Sequence, residues 1–278
     1  MQYFQCGSYR LSLENPLLMG IVNLTPDSFS GDGVVNNTKS AIRHARLQFE
    51  AGAAILDIGA ESSRPGAIPT SEDEELCRLL PVLKEVVTWG VPISVDTYKP
   101  KVMAEALSMG ASMINDITGM VNPEAISVVA QSDCGICAMH MQGEPMDMQS
   151  SPKYLNVTDE VGQFLATAAE RCVRAGIGKK RIVLDPGFGF GKTLEHNLTL
   201  FRALTVAMPC EYPFLVGVSR KSMLGQITGC QIDDRMVPSV VAALLAAQKG
   251  AKILRVHDVA KTKDALAVWR AIESGESS

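Results

Sequence analysis

Leu17-Leu18-Met19-Gly20-Ile21-Val22-Asn23-Leu24-Thr25-Pro26-Asp27-Ser28-Phe29-Ser30 passes within one residue from an apolar run to a polar, proline-containing loop. An apolar run of this length describes a strand buried on both faces, as in a parallel sheet. Asn23 then stands at its C-terminal tip. In a barrel of parallel strands those tips carry the chemistry. Asn, Asp and Ser also favour turns for local reasons, so a single polar tip decides nothing and its recurrence decides the fold.

Seven further short apolar runs follow, at 55–58, 93–95, 113–117, 136–139, 182–184, 214–218 and 253–256. Segments with helical spacing separate them, at 40–50, 72–87, 100–108, 123–130, 158–174, 197–207, 237–247 and 261–272. In the first of these, Ala41, Ile42, Ala45 and Phe49 fall near one face, and the second opens with acidic residues, as the helix dipole prefers. Gly52, Gly110, Gly176 and Gly250 close helices where a left-handed cap favours glycine. Eight strands alternating with eight helices, without a domain-like break, predict an α/β protein: a single (β/α)8 TIM barrel over 1–278. Residues 1–16 are expected to form a short N-terminal β-hairpin extension turning at Gly7.

The chain has 278 residues, 46% hydrophobic and 20% charged, with a net charge of −4, which suits a globular protein with a sizeable core. No basic stripe marks a nucleic-acid partner. No apolar run nears the roughly 18 residues of a membrane span, and no secretory signal opens the chain. Seven cysteines in this length do not describe a disulfide scaffold. Cys77 and Cys172 read as small core residues, and Cys134-Gly135-Ile136-Cys137 lacks the second pair that a zinc site needs. These features point to the cytoplasm.

The strand tips give Asn23; Asp57 followed by Glu61-Ser62-Ser63-Arg64-Pro65-Gly66; Asp96; Asn115-Asp116; His140; Asp185-Pro186-Gly187-Phe188-Gly189-Phe190-Gly191-Lys192; Ser219-Arg220-Lys221-Ser222; and Arg255-Val256-His257-Asp258. All would gather round one mouth. Asp57 and Asp116 are expected to cap helices or brace loops, and His140 to be a core histidine or a site residue. Asp96, Asn115, Asp185, Lys221 and Arg255 demand partners or a ligand, because buried charges must be paired. The run from Gly187 to Thr193 fails both the P-loop and the GxGxxG pattern on spacing.

This set suits a flat heterocycle with anionic groups nearer the mouth. A carboxylate such as Asp185 accepts two parallel bonds from the edge of a 2-amino-4-oxopyrimidine ring. Asn115 both donates and accepts beside it, and Lys221 donates to a ring carbonyl and nitrogen. Arg255 and His257 stand where barrels commonly hold phosphate. Asn23 offers an oxygen to Mg²⁺, which keeps several waters and phosphate ligands.

Taken in order, the segments 23–30, 61–66, 94–97, 115–116, 184–192, 219–222 and 255–258 resemble the dihydropteroate synthases, over nearly the whole chain. The resemblance implies condensation of 6-hydroxymethyl-7,8-dihydropterin diphosphate with 4-aminobenzoate to give dihydropteroate and diphosphate. It implies that Asp96, Asn115, Asp185 and Lys221 hold the pterin and that Phe190 and Met139 line its faces. Asn23 would bind Mg²⁺ on the diphosphate, and Arg255 and His257 would hold the leaving group. Ser63, Arg64, Pro65 and Ser222 would lie near the aminobenzoate, with the loops at 24–33 and 61–68 closing over the site. A homodimer and a sulfonamide target are implied as well. Two positions depart from the pattern: Asp32 stands one place late, and Ser63 replaces the usual threonine, which is expected to change aminobenzoate affinity only slightly. The alternatives are a non-catalytic pterin-binding paralogue and a barrel like the methyltetrahydrofolate:corrinoid methyltransferases.

Overall fold

A computed structural model of the chain describes residues 2–24, 34–64 and 66–274. Residues 25–33, with Asp32 and most of the first loop, and Pro65 lie outside the described residues.

An antiparallel hairpin, β1 (Tyr3–Cys6) and β2 (Tyr9–Ser12), turns at Gly7, whose φ of +59° is a left-handed conformation that glycine adopts freely. Eight parallel strands follow: β3 (Leu17–Asn23), β4 (Ile55–Gly59), β5 (Ile93–Asp96), β6 (Met113–Asp116), β7 (Gly135–Met139), β8 (Ile182–Asp185), β9 (Leu215–Val216) and β10 (Ile253–Val256). Their spatial order is β8-β7-β6-β5-β4-β3-β10-β9. A parallel bridge between Leu184 and Phe214 closes the ring, with Leu184 N–H donating to the Pro213 carbonyl at 3.1 Å. The expected TIM barrel with its N-terminal hairpin is the fold. β9 is shorter than the apolar run 214–218 suggested: Gly217 follows it directly, and Phe214 before it, next to Pro213, forms only a single bridge.

The helices are α1 (Val34–Glu50), α2 (Glu72–Val86), α3 (Pro100–Ser108), α4 (Pro123–Ala130), α5 (Val157–Arg174), α6 (Leu194–Arg202), α7 (Leu204–Ala207), α8 (Ser222–Thr228), α9 (Met236–Gln248) and α10 (Val259–Ser274). Local signals start them: Ser71 Oγ accepts from Glu74 N–H ahead of α2, Pro123 opens α4, and Thr193 pairs with His196 in a capping box on α6. The segment expected as one helix at 197–207 is two, parted at Ala203. The short α8 has no counterpart in the sequence reading, since seven residues with a central Gly225 carry no helical periodicity. Gly52, Gly110, Gly176 and Gly250 all have positive φ, as their cap positions require.

Side chains alternate along each strand, and the barrel interior is layered accordingly. The lower layer is apolar: Met19, Ile55, Met113, Cys137, Val183, Leu215 and Ile253, closed from beneath by Phe4, Cys6 and Leu13 of the hairpin segment. Two residues further along the same strands come Asp57, Asn115, Met139, Asp185 and Arg255. The period of the strand thus lifts a polar layer directly above an apolar floor. Outward-facing residues such as Leu56, Ile58, Val95 and Ile114 pack against the helices, with Ala45, Leu79, Leu83 and Met103 among their neighbours in one continuous core.

The hairpin is fastened to the barrel floor by Gly7 N–H donating to the Asp133 carbonyl at 3.1 Å and by Cys6 Sγ reaching the Ser112 carbonyl at 3.3 Å. Gly135 opens β7 against the Phe4 ring, so a Cβ there would run into the ring. Gly135→Ala is therefore expected to destabilise the fold by about 1–3 kcal/mol through overpacking. Urea unfolding checks this, and a change below about 0.5 kcal/mol would show the hairpin to be loosely seated.

Cys134 and Cys137 are buried free thiols, and so is Cys172, as its core reading required. Cys77 is not a core residue: it is exposed, because Leu79, Val82, Leu83 and Val86 carry the inner face of α2. No helix among the described residues is long and apolar enough to cross a membrane.

Candidate active site

Strand register brings the tips together. Asn23 pairs with Gly59, Gly59 with Asp96 and Asp96 with Asn115, so four consecutive strands end level at one rim. Across β7 and β8, Met139 pairs with Asp185. Behind this rim Arg255 links two carboxylates, donating from Nε to Asp57 Oδ2 at 2.6 Å and from Nη2 to Asp96 Oδ2 at 2.8 Å. Asn115 Nδ2 reaches the same Asp57 oxygen at 3.4 Å. Nη1 of Arg255 takes part in neither ion pair.

Asp57 was expected to cap a helix or brace a loop. It does neither: fully buried, it stands inside the barrel two residues above Ile55 and anchors Arg255. Alternation along Ile55-Leu56-Asp57 was the signal that could have found it. Asp116 does brace its loop, accepting from Thr118 N–H at 2.7 Å, Thr118 Oγ1 and Met120 N–H at 2.9 Å. Burial raises the Asp96 carboxyl to about 7, against the opposing pull of Arg255.

The segment after β8 folds back over the mouth. Gly187 has φ +67°, and a Cβ on it would collide with the His140 carbonyl oxygen. This close approach lets Gly187 N–H donate to Asp185 Oδ1 at 2.7 Å, which fixes the carboxylate. Gly189 N–H donates to Asn197 Oδ1 at 2.8 Å and Tyr154 donates to the Gly191 carbonyl at 2.8 Å, so the turn is pinned at several peptides. Lys221 donates to the Phe188 carbonyl and lies 4.5 Å from the centre of the Phe190 ring. Met139, buried beside Gly187, and Phe190, half-buried, thus both reach the site.

His140 is a core histidine. Its Nδ1 accepts from Lys192 Nζ at 2.9 Å, and burial together with the Lys192 charge lowers its pKa to about 3. Lys192, itself 2% exposed, also donates to the Gly187 carbonyl at 2.9 Å and the Phe190 carbonyl at 3.1 Å. The sequence reading gave this lysine no role.

His257 is neutral. Burial first, then Arg255 and Arg220, lower its pKa to about 3. Ser219 Oγ accepts from the His257 backbone N–H at 3.2 Å and lies 2.9 Å from Nδ1, so one hydroxyl fixes both the peptide and the ring of His257. Of the second-loop residues, Ser62 and Ser63 are half-buried and line a recess shared with Asp96, Thr97 and Ile117, whereas Arg64 is exposed, as is Ser222 at the start of α8.

Burial lowers the Lys221 ammonium to about 8, with Asp185 opposing the shift. Below that pH Lys221 is charged and above it neutral. Initial-rate kcat/KM for the ligand it binds is therefore expected to fall as pH rises through about 8. A profile flat to pH 10 would remove Lys221 from the binding step.

A parallel barrel whose mouth carries carboxylates, an amide, a lysine and an arginine in this arrangement is a pterin-binding barrel, and the family model described as pterin binding enzyme matches residues 19–257. The dihydropteroate synthase of Neisseria meningitidis serogroup C is 51% identical over 274 residues, 97% of each chain. The solved structure of the Burkholderia cenocepacia dihydropteroate synthase complexed with 7,8-dihydropteroate superposes with a TM-score of 0.90 at 46% identity, covering 99% of this chain and 97% of that one. A Yersinia pestis dihydropteroate synthase structure with a sulfonamide drug gives 0.92 at 44% identity, covering 98% and 100%. The chain belongs to the dihydropteroate synthase family.

Proposed function

We infer that this chain condenses 6-hydroxymethyl-7,8-dihydropterin diphosphate with 4-aminobenzoate, releasing diphosphate and forming 7,8-dihydropteroate. The observation that carries this is the polar layer above the apolar floor, where Asp57, Asp96, Asn115, Asp185 and Arg255 meet Lys221 at one rim.

In this reading the pterin lies flat in that layer. Asp185 accepts from the ring's amino edge while Gly187 N–H holds its Oδ1, and Asn115 and Asp96 complete the edge. Lys221 donates to the ring carbonyl, and Met139 and Phe190 cover the faces. As the methylene C–O bond breaks, the electron pair leaves with the diphosphate and positive charge spreads into the electron-rich ring. The carboxylates around Arg255, Asp57 and the ionised form of Asp96, face that cation with charge of the opposite sign. His257, in the neutral form with its proton on Nε2, would donate to the leaving anion, and Arg255 would do so through Nη1, which is committed to neither carboxylate. The aromatic amine nitrogen then bonds to the methylene carbon and loses a proton. Ser63, Arg64 and Ser222 lie beside that substrate, with Pro65 in the same loop.

Asn23, half-buried at the tip of β3, presents an amide at the rim. Among the described residues no cluster of three or more His, Cys, Asp or Glu could hold a metal alone. That donor set fits Mg²⁺ carried in on the diphosphate, with Asn23 and water as its remaining ligands. When bound, the ion would neutralise charge on the leaving group.

Two apolar helix faces support a homodimer. Val237, Val241 and Leu245 on α9 are 61%, 51% and 44% exposed, and Val268 and Ile272 on α10 are 60% and 76% exposed. Each set recurs every fourth residue on one helix face, and α9 and α10 are neighbours in the fold. Apolar surface gathered in this way marks an association face. Val241→Glu is expected to convert a dimer to a monomer in sedimentation velocity; a wild-type chain sedimenting as a monomer at micromolar concentration would refute the assignment. The free state of all seven cysteines supports a cytoplasmic home, and the Yersinia pestis relative solved with a sulfonamide drug supports inhibition by sulfonamides.

The deciding assay is diphosphate release from the pterin substrate with Mg²⁺, with and without 4-aminobenzoate. Release with dihydropteroate formation establishes the reaction. Pterin binding without condensation would point to a binding protein.

A further inference from the structure

One ammonium holds both ends of the segment that carries Ser62, Ser63 and Arg64, and we propose that Lys99 is a positioning residue for the aminobenzoate half of the reaction. The proposal rests on the reading that sets those residues beside the amine substrate. Lys99 stands between β5 and α3, just beyond the strand next to the one from which the segment springs. Its Nζ donates to the Glu61 carboxylate at the start of the segment and to the Thr70 carbonyl oxygen at its end, the latter at 2.5 Å. It also donates to Glu75 Oε2 in the first turn of α2 at 2.7 Å. An ammonium has three protons, and here each has its own acceptor.

The surroundings make this clamp stiff. The Lys99, Glu61 and Glu75 side chains are 12%, 11% and 1% exposed, so salt and water screen the contacts little. Tyr98 donates to the second Glu61 oxygen at 3.0 Å, and Arg78 Nη1 donates to the Ala60 carbonyl at 3.0 Å just before the segment begins. Between its ends the segment has weaker holds. Arg64 N–H meets Ser62 Oγ at 3.4 Å, Ala67 N–H meets the Arg64 carbonyl at 3.0 Å, and Gly66 N–H meets the Pro145 carbonyl at 2.9 Å. Its sequence, rich in Ser, Gly and Pro, has no helical or strand period of its own.

The clamp connects to the site through the recess that Glu61, Ser62 and Ser63 line together with Asp96 and Thr97. Glu61 is thus both the clamped residue and part of the wall beside the site. Released from Lys99, the segment would start from a different place and carry Ser62 and Ser63 with it. The pterin contacts come from other strands and would stay where they are.

The test compares wild type, Lys99→Met, Lys99→Arg and Glu61→Gln in steady state against both substrates, with direct calorimetric binding of 6-hydroxymethylpterin. Lys99→Met is expected to raise KM for 4-aminobenzoate about tenfold while pterin KM and pterin binding stay within about twofold. Lys99→Arg should recover part of the loss. Glu61→Gln removes the charge at the start of the segment, leaving at most a neutral hydrogen bond to Lys99, yet keeps the buried Lys99–Glu75 pair, so it should fold even where Lys99→Met does not, and it should shift the aminobenzoate KM in the same direction by a smaller factor. An unchanged aminobenzoate KM in the folded variants, or an equal rise in both KM values, overturns the proposal. A wild-type enzyme that binds pterin and makes no dihydropteroate overturns the functional reading itself, and the clamp's role with it.

Discussion

Arg255→Met is expected to cost the enzyme about 100- to 1,000-fold in kcat/KM, the size of effect seen when a preorganised charge-stabilising donor is lost. The same change should destabilise the fold by about 3–5 kcal/mol, because it leaves buried carboxylates without their cation. Asp57 is fully buried and Asp96 is mostly so, and Arg255 bridges them at 2.6 Å and 2.8 Å. Two effects are therefore entangled in one variant, and a second variant separates them. Asp57→Asn combined with Arg255→Met removes the charge that suffers most from the loss, so chemical denaturation should show much of the stability restored. The rate should not return, since the cation is still missing. A single variant that lost less than about 1 kcal/mol of stability, or a double variant as unstable as the single one, would show that Arg255 does not hold this wall together.

Asp185→Asn should weaken pterin binding about 100-fold, or about 2.7 kcal/mol, with little change in unfolding midpoint. The asparagine oxygen can still accept from Gly187 N–H, which meets Asp185 Oδ1 at 2.7 Å in the native site. Its NH₂ group then faces the ring edge, where the ligand offers donors, so a charge-assisted bond gives way to a donor–donor clash. Lys221 also loses the neighbouring charge that holds its pKa up against burial, so the alkaline limb of kcat/KM should move to lower pH. Calorimetric titration of a pterin and a pH profile check both parts. A loss of under fivefold would show that another group reads the amino edge.

The fold was legible because the barrel writes its strands as apolar runs and its tips as polar residues. The same alternation placed Asn115, Asp185 and Arg255 two residues above Met113, Val183 and Ile253. Asp57 obeys this rule as well, yet it was read as a loop brace because Asp is so common near turns. Asp116 sits one residue after Asn115, faces the other way and does brace a loop. Register within the strand, and not residue type, separates the two. What the sequence could not show are contacts between distant segments. The Lys99 clamp joins Glu61, Thr70 and Glu75, and Lys192 ties His140 to the turn after β8. No spacing pattern announces such pairings. α8 and the break at Ala203 escaped because single short turns are set by tertiary packing rather than periodicity.

The apolar layer at the foot of the barrel, capped by the hairpin, makes the interior a well with one opening. Phe4, Cys6 and Leu13 seal the floor, so everything enters and leaves by the rim. A well imposes a queue. In the proposed reading the pterin, with its contacts in the layer just above the floor, has to enter before the amine set over it, and the joined product has to back out whole. Compulsory-order kinetics, with aminobenzoate binding only after the pterin side is filled, are thus the expected consequence of a barrel packed shut beneath its polar layer.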